Sequence, residues 1–543
     1  MHAEHHDTTR LMTRVMAFKA QREPSEPASP ETRPASATPK DRFPWLLALS
    51  VGLLLAFSLC LRFWTRSDLW LDEALTVNIS HLPISRIPAA LRRDGAPPLY
   101  YVLLHFWMLA FGSGDIAVRS LSGIMGVASL PLTWMLGKRL ADRSVAWVAT
   151  ILLATSPFAV YYDTEARMYA LVALLAVTGA LALVSALRKP RPLNLISVAV
   201  ITSLLLYSHY WSLYLIAVVG AGLAWKAWKG ENPTPYRWAL LAGVAGCITF
   251  IPWLPIFWFQ LHHTGTPWAT PASFDAIVHA ISKFAGGANN PGRALALIFF
   301  ALAGLGLFGA AINAKKIELD LRTRKRPRAL AIVVFCTLGV AILGGLISSS
   351  TFASRYTAVV FIPFLVLVAM GTSTFASKQV RWSVVAAAAL LGIAGSLPNI
   401  YTNRTQAGQV AAAIKAHGHA GDVIAYCPDQ LGPAVSRLLP RTGFTQITFP
   451  RETGPRFVDW VNYAQVNRAA SPAAFAKAVL ARAGTTHAIW LAWAPGYRTF
   501  GTKCQQIAGY LEADMGVAPT QIVHYNPQRF FEFYELQRFG PRR

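Results

Sequence analysis

The residues best suited to chemistry are charged side chains placed just beyond apolar segments of the chain. An adjacent acidic pair, Asp72-Glu73, follows the first apolar run, and other charged groups stand at the ends of later runs. Charged side chains are costly inside a bilayer, so a set gathered at its edge indicates a functional site. A solvated acidic loop without function is the alternative. The set comprises Asp72, Glu73, Asp94, Arg119, Asp163, Glu165, Arg167, His209 and Arg355.

Carboxylates and arginines at one membrane face suit a particular kind of reaction. A carboxylate can take a proton from an acceptor hydroxyl, and arginines can hold a phosphate bidentately as it leaves. A phosphate that leaves at the membrane edge indicates a lipid-linked donor. Arg119 and Arg355 could instead extend their guanidinium groups to the interface, as long basic side chains do at helix ends. His209 is typical of a polar core residue rather than of a metal ligand.

The composition identifies an integral membrane protein. Of 543 residues, 54% are hydrophobic and only 14% are charged, and the mean hydropathy is +0.38, whereas a soluble protein carries about 25% charged residues. The net charge of +24 comes from Lys and Arg in short loops between apolar runs, such as Lys138-Arg139. Such loops are typical of the cytoplasmic side of a membrane protein. This distribution makes a nucleic-acid partner a poor interpretation.

The apolar runs and basic loops together predict a topology of eleven transmembrane helices within residues 42–399. Residues 1–41 are polar and rich in Pro, Ser, Thr and Glu, which predicts a disordered cytoplasmic tail. With the basic loops inside, Pro97–Phe111 cannot be a full span, and we expect a helix in the outer interface. An ordinary short span with reversed topology is the alternative. The chemically suited residues then all lie on the extracytoplasmic side.

Residues 400–543 have a different character and predict a small extracytoplasmic α/β domain. Short apolar runs such as 422–427 and 488–493 predict strands, and Pro472–Ala483 predicts a helix between them. A last strand is expected at Phe530–Leu536. Cys427 and Cys504 are the domain's two cysteines, and outside the cytoplasm they should form a disulfide. Two unpaired thiols are the alternative, because element order does not set their distance.

A series of short motifs resembles the GT-C class of polytopic glycosyltransferases, of the family 39 type. The resemblance is to protein O-mannosyltransferases and aminoarabinose transferases, in a bacterial form with a C-terminal α/β domain. It extends from about the first span to Phe361. The motifs are L-W-L-D-E-A, G-A-P-P-L-Y-Y-V-L-L-H-F-W, A-V-R-S-L-S-G, S-P-F-A-V-Y-Y-D-T-E-A-R-M-Y-A-L, Y-S-H-Y-W and S-R-Y-T-A-V-V-F-I-P.

The resemblance implies inverting transfer of a sugar from a polyprenyl-phosphate donor on the extracytoplasmic face. It implies that Asp72 is the catalytic base, with Glu73 beside it in a supporting or acceptor-placing role. Arg355 and Arg119 would contact the donor phosphate. Asp163 or Glu165 would be a second acidic position, in an acceptor region that we extend to Arg167 and His209. No metal-ligand motif appears; a divalent ion would be compatible with the carboxylates but is not required.

The sequence therefore predicts a multi-pass protein of the bacterial inner or plasma membrane, with a cytoplasmic N-terminus. The donor would carry a mannose-like hexose or a pentose. The acceptor would be an envelope glycan, lipid or protein, and membrane lipid would be a further partner. A transporter or flippase of polyprenyl-linked sugars is the alternative, although such a protein would spread polar groups through the bilayer depth. A non-catalytic assembly or sensor protein is a third.

Overall fold

The computed structural model describes residues 44–265, 273–287, 289–313, 316–320, 322–348, 352–497 and 499–541. The tail predicted at residues 1–41 lies outside these ranges. Backbone contacts divide the chain into two units, Met1–Gly52 and Leu53–Arg543. The sheets and the candidate site described below belong to the second unit.

The described part of the chain between residues 44 and 401 is mostly helical. Its α-helices are α1 (Pro44–Leu61), α2 (Leu71–Ser80), α3 (Ile87–Asp94), α4 (Leu99–Phe111), α5 (Asp115–Leu140), α6 (Arg143–Thr155), α7 (Pro157–Asp163), α8 (Tyr169–Arg188), α9 (Pro192–Ser208), α10 (Ser212–Lys229), α11 (Thr234–Ile248), α12 (Leu254–His263), α13 (Asp275–Phe284), α14 (Asn290–Phe308), α15 (Lys325–Ser348), α16 (Ala358–Gly371), α17 (Lys378–Ser396) and α18 (Pro398–Tyr401). Short 3₁₀ turns occupy Ile84–Arg86, Ile251–Trp253, Ser354–Thr357 and Thr372–Thr374. A small antiparallel pair, β1 (Gly309–Ala311) and β2 (Ile317–Leu319), follows α14.

The polytopic helical fold expected from the composition is confirmed. Within the described residues, seven helical segments are long and apolar enough to cross a membrane, and an eighth if the bent pair α6 and α7 forms one span. Three shorter apolar helices are Gly52–Leu61, Leu99–Phe111 and Pro192–Ser208. The count of eleven spans therefore stays a prediction. At 13 residues α4 is too short to cross a hydrocarbon core of about 30 Å, since a helix rises about 1.5 Å per residue.

The bend between α6 and α7 has a local cause and a consequence for the site. The two helices meet at 56°, where Ser156 accepts a hydrogen bond from the Ala159 backbone N–H and Pro157 fills the first turn of α7. Helix α7 ends at Asp163, which packs against Gly126 of α5. A Cβ at Gly126 would come within 2.2 Å of the Asp163 carboxylate, so only glycine fits this contact.

The last part of the chain contains a five-stranded mixed sheet. The strands are β3 (Val423–Cys427), β4 (Thr445–Thr448), β5 (Ile489–Trp493), β6 (Thr520–Val523) and β7 (Glu535–Phe539), in the order β4-β3-β5-β7-β6. Strands β4, β3 and β5 are parallel, and β7 pairs antiparallel with both β5 and β6. The helices are α19 (Ala407–His417), α20 (Gly432–Leu438), α21 (Tyr463–Ala469), α22 (Pro472–Ala483) and α23 (Lys503–Met515).

The small C-terminal α/β layer is confirmed, with differences at its end. Helix α22 has the predicted bounds, and a disulfide joins Cys427 to Cys504. The strand predicted at Phe530–Leu536 is wrong by several residues: the strand of the sheet is Glu535–Phe539, whereas Glu532 forms an isolated bridge with Thr405. Strand β6 was not predicted, because its sequence, T-Q-I-V, does not alternate between polar and apolar residues.

Candidate active site

Asp72 faces two arginines across one cavity. Its Oδ2 lies 3.6 Å from Nη1 of Arg355 and 3.9 Å from Nη2 of Arg167. All three side chains are mostly shielded from solvent, with exposed fractions of 16% for Asp72, 15% for Arg355 and 12% for Arg167. The cavity has a volume of about 490 Å³. It is lined by Asp72, Leu75, Asp94, Gly95, Pro97, Arg167, Tyr169, His209, Tyr210, Trp211, Leu213, Tyr214, Phe257, Gln260, Leu261, Thr264, Gly265, Arg355, Tyr356 and Trp460.

Three separate elements bring these charges together. Asp72 is the second residue of α2, Arg167 lies in the turn between α7 and α8, and Arg355 lies in the 3₁₀ turn before α16. The Arg167 guanidinium is held by Thr76 Oγ1, at 2.8 Å, and by the Tyr101 hydroxyl, at 3.3 Å. Both ion pairs to Asp72 exceed hydrogen-bond distance, so neither of these pairs is a hydrogen bond to the carboxylate.

Glu73, the neighbour of Asp72, makes a closed ion pair instead. Its two oxygens accept from Nε and Nη2 of Arg119 at 2.7 and 2.6 Å, and Oε1 also accepts from the Ala166 backbone N–H at 2.9 Å. Glu73 is completely buried and Arg119 is 5% exposed. Burial alone would raise the pKa of Glu73, but the Arg119 guanidinium, together with Arg404 and the Ala166 N–H, outweighs burial and lowers that pKa. Arg119, expected at the donor phosphate, is thus placed against Glu73 and does not line the cavity of Asp72.

The second acidic position also lies outside this cavity. Oδ2 of Asp163 is 2.9 Å from Nε of Arg62, which is fully buried at the end of α1. Glu165 Oε1 accepts a hydrogen bond from Nε1 of Trp70 at 2.9 Å. Burial raises the pKa of Glu165, and the Arg404 guanidinium opposes that rise. Both carboxylates connect elements around the site, and the structure does not place either beside Asp72.

His209 and Asp94 do line the cavity. Burial lowers the pKa of His209 to about 3, helped by the nearby charges of Arg167 and Arg355, so the imidazole is neutral at physiological pH. Its Nδ1 accepts from the Trp211 backbone N–H at 3.1 Å, which leaves the proton on Nε2 as a donor. Asp94 accepts from the Tyr101 hydroxyl at 2.9 Å. The cavity therefore offers donors for phosphate or sugar oxygens as well as carboxylate acceptors.

Several residues at the site were not singled out by the sequence. Trp460 comes from the C-terminal region and reaches the cavity because its backbone N–H donates to the Arg93 carbonyl at 3.1 Å. Arg404 donates to Thr164 and Asn399, at 2.8 Å each. The contacts of Trp460 with Arg93 and of Arg404 with Thr164 each span more than 230 positions of sequence, so no local pattern indicates them.

No triad of metal ligands occurs in the described ranges, where no group of three or more His, Cys, Asp or Glu side chains could hold an ion. The divalent ion considered from the sequence would have to be shared between protein carboxylates and a phosphate. Asp72 and Asp94 are the carboxylates of the cavity lining, and they are the residues that such an ion would contact.

Comparisons with known proteins concern one segment of the sequence and the overall fold. Residues 95–256 match the family model described as dolichyl-phosphate-mannose-protein mannosyltransferase. That segment carries Arg119, Arg167 and His209. No curated protein sequence matches the chain at a significant level.

Two solved structures share the fold over nearly the whole chain. ArnT from Cupriavidus metallidurans bound to undecaprenyl phosphate is 11% identical, with a TM-score of 0.55 over 90% of this chain and 98% of that one. The apo state of the same enzyme is 12% identical, with a TM-score of 0.55 over 91% and 98%. At this identity the likeness concerns the fold alone. The family match of residues 95–256 is a separate observation, made on the sequence. Residues 95–256 are accordingly similar to the dolichyl-phosphate-mannose-protein mannosyltransferase family, within a chain that shares the fold of ArnT.

Proposed function

We propose that the chain is an inverting glycosyltransferase that moves a sugar from a polyprenyl-phosphate donor to an acceptor hydroxyl. The observation that carries the proposal is the shared cavity in which Asp72 faces Arg355 and Arg167 at ion-pair distance. A related fold has been solved with undecaprenyl phosphate, which supports a donor of this chemical class. A reaction that ends with a phosphate leaving group needs cations where charge develops, and a base where a hydroxyl is activated.

The reaction is a single displacement. The acceptor hydroxyl transfers its proton to the Asp72 carboxylate as its oxygen attacks the anomeric carbon of the donor. The bond between that carbon and the phosphate oxygen breaks, and polyprenyl phosphate leaves with the electron pair. Arg355, Arg167 and the Nε2–H of His209 stabilise the charge on the leaving phosphate. Attack opposite the leaving group inverts the anomeric configuration.

The arginines of the cavity are placed so that a phosphate could replace Asp72 as their partner. The buried Nε of Arg167 has no hydrogen-bond partner among the described residues, so a donor group is available for a phosphate oxygen. The pairs from Asp72 to Arg355 and Arg167, at 3.6 and 3.9 Å, are long enough for an incoming phosphate to compete for both guanidinium groups. Binding of the donor would then release Asp72 to face the acceptor.

The walls of the cavity suit a sugar and a lipid. Tyr169, Trp211, Tyr356 and Trp460 present aromatic surface, and flat rings combine apolar contact area with a polar edge. A mannose-like hexose or a pentose fits these features equally. The acceptor class, whether envelope glycan, lipid or protein, is not distinguished by them. We place the reaction at the extracytoplasmic face of the plasma membrane, with residues 400–543 on that side.

The proposal is tested with purified protein and a panel of polyprenyl-phosphate sugars, by measuring transfer to envelope acceptors and hydrolysis to polyprenyl phosphate. Asp72→Asn keeps the size of the side chain but removes the base, and should lower transfer by about 10²- to 10⁴-fold. Asp514→Asn is the matched control, because Asp514 is exposed on α23. Normal turnover by Asp72→Asn would exclude the mechanism. Donor flipping in vesicles without turnover would restore the transporter alternative, which no comparison supports.

A further inference from the structure

A buried carboxylate of the C-terminal region contacts the start of the helix that carries Asp72. Glu532 lies between β6 and β7 and is 9% exposed. Its Oε1 accepts a hydrogen bond from the Leu71 backbone N–H at 3.2 Å, and its Oε2 accepts from Thr405 Oγ1 at 2.5 Å. Leu71 is the first residue of α2, so Asp72 is the residue immediately after this contact.

The backbone on both sides of Glu532 is fixed as well. Its N–H donates to the Arg404 carbonyl at 2.9 Å, and its own carbonyl accepts from the Gln406 N–H at 3.0 Å. These bonds attach it to the segment that leads from the membrane helices into the C-terminal domain. The carboxylate is therefore held by a rigid frame and is not a mobile side chain that happens to touch α2.

Helix α2 requires such a partner because its own sequence supplies no cap. The first N–H groups of a helix have no acceptor within the helix, and the position before α2 is Trp70, whose side chain makes no capping hydrogen bond. Glu532 fills that role from 461 positions along the chain.

The residue before Glu532 contacts the residue before Leu71. The rings of Phe531 and Trp70 meet edge to face, with centroids 5.1 Å apart. Trp70 in turn donates to Glu165, and its ring lies 5.9 Å from the Arg355 guanidinium carbon. Two consecutive residues of the C-terminal region thus hold the two residues that precede Asp72, beside the arginine proposed to bind phosphate.

We propose that Glu532 is a positioning residue for the catalytic base, through which the C-terminal domain completes the active site. The inference rests on the proposed function, because it assigns Glu532 a part in placing Asp72 against the acceptor hydroxyl. Glu532 contacts no reacting atom; it acts by fixing the first turn of α2. The C-terminal domain is then a component of the catalytic apparatus and more than a cover over the membrane helices.

The test compares three variants of the full-length protein in steady-state transfer. Glu532→Ala removes both acceptor oxygens, and loss of alignment should lower kcat by roughly 10- to 100-fold with little change in the donor KM. Glu532→Gln keeps an oxygen for the Leu71 N–H and should recover most of kcat. Glu535→Ala is the control, because Glu535 is equally buried but accepts only from Tyr525 in the described structure, at 2.9 Å. Wild-type kcat in Glu532→Ala would overturn the proposal, as would equal losses in Glu532→Ala and Glu535→Ala.

Hydrogen exchange separates this proposal from the proposed function. The amides of residues 71–76 should exchange faster in Glu532→Ala than in the wild type, and at the wild-type rate in Glu535→Ala. If the wild-type protein transfers no sugar from any donor, the proposed function fails, while faster exchange in Glu532→Ala still supports the fixing of α2. Unchanged exchange at these amides in Glu532→Ala would refute the positioning role whether or not the protein is active.

Discussion

Asp72 and Glu73 are adjacent in the chain, yet their carboxylates meet arginines in different ways. Glu73 forms a fully buried, two-pronged pair with Arg119 at 2.6 to 2.7 Å, whereas Asp72 stands 3.6 Å or more from its two arginines beside an open cavity. Successive helical residues point about 100° apart, so one turn of α2 serves two environments. We infer that the pair of Glu73 with Arg119 stabilises the fold, whereas the longer pairs of Asp72 leave its carboxylate available for the reaction.

Breaking the closed pair should have the largest effect on folding. Glu73→Ala leaves the Arg119 charge buried without its partner, which should lower the free energy of unfolding by about 3–5 kcal/mol. Asp72→Asn disturbs two longer pairs, with Arg355 and Arg167, and should cost about 1 kcal/mol or less. Thermal denaturation of the two variants in one detergent measures the contrast. Similar melting temperatures for both would show that the two carboxylates do not divide the roles in this way.

Arg355 and Arg119, the partners of Asp72 and Glu73, should differ in the same way as the two carboxylates. Arg355→Lys keeps a positive charge but loses the planar fork that binds two phosphate oxygens, and should lower kcat/KM by about 10- to 100-fold. Arg119→Lys should mainly lower the melting temperature, because the paired oxygens of Glu73 lose one donor. Kinetics and melting curves on both variants give the result. A larger kinetic loss in Arg119→Lys than in Arg355→Lys would mean that Arg119 contacts the donor after all.

The sequence predicts where the charged residues of the site lie, but not how Asp72 and Glu73 differ in burial. The acidic pair could be found because it follows an apolar run, and Pro472–Ala483 because its helical pattern is local. Which carboxylate is buried depends on the direction of α2, and that is set by Arg119, 46 positions later. The contact of Glu532 with Leu71 spans 461 positions and leaves no periodic signal. Long-range pairing of single polar residues is the part that one sequence does not show.

Glu532 is a third carboxylate, and its titration sharpens the comparison. Burial raises its pKa to about 8 from a usual 4.5; Asp72 adds to the rise, while Thr405, the Leu71 N–H and Tyr534 oppose it. A group whose folded pKa is raised stabilises fully below the unfolded value and loses that contribution as pH rises through the folded one. The melting temperature of the wild type should therefore fall relative to that of Glu532→Gln between about pH 5 and 8. A constant difference between the two curves would show that Glu532 remains ionised when folded.

The smallest expected effect concerns Trp460, where the C-terminal region meets the open cavity. Its backbone is fixed to Arg93, so Trp460→Ala removes ring surface from the cavity wall without releasing the domain. Losing one aromatic contact should raise an acceptor or donor KM by roughly 2- to 10-fold, while Trp460→Phe should retain most of the affinity. Donor hydrolysis measured without acceptor separates the two substrates: an unchanged donor KM would assign the ring to the acceptor. A fall in kcat with both KM values intact would instead place Trp460 with Glu532, among the residues that align Asp72.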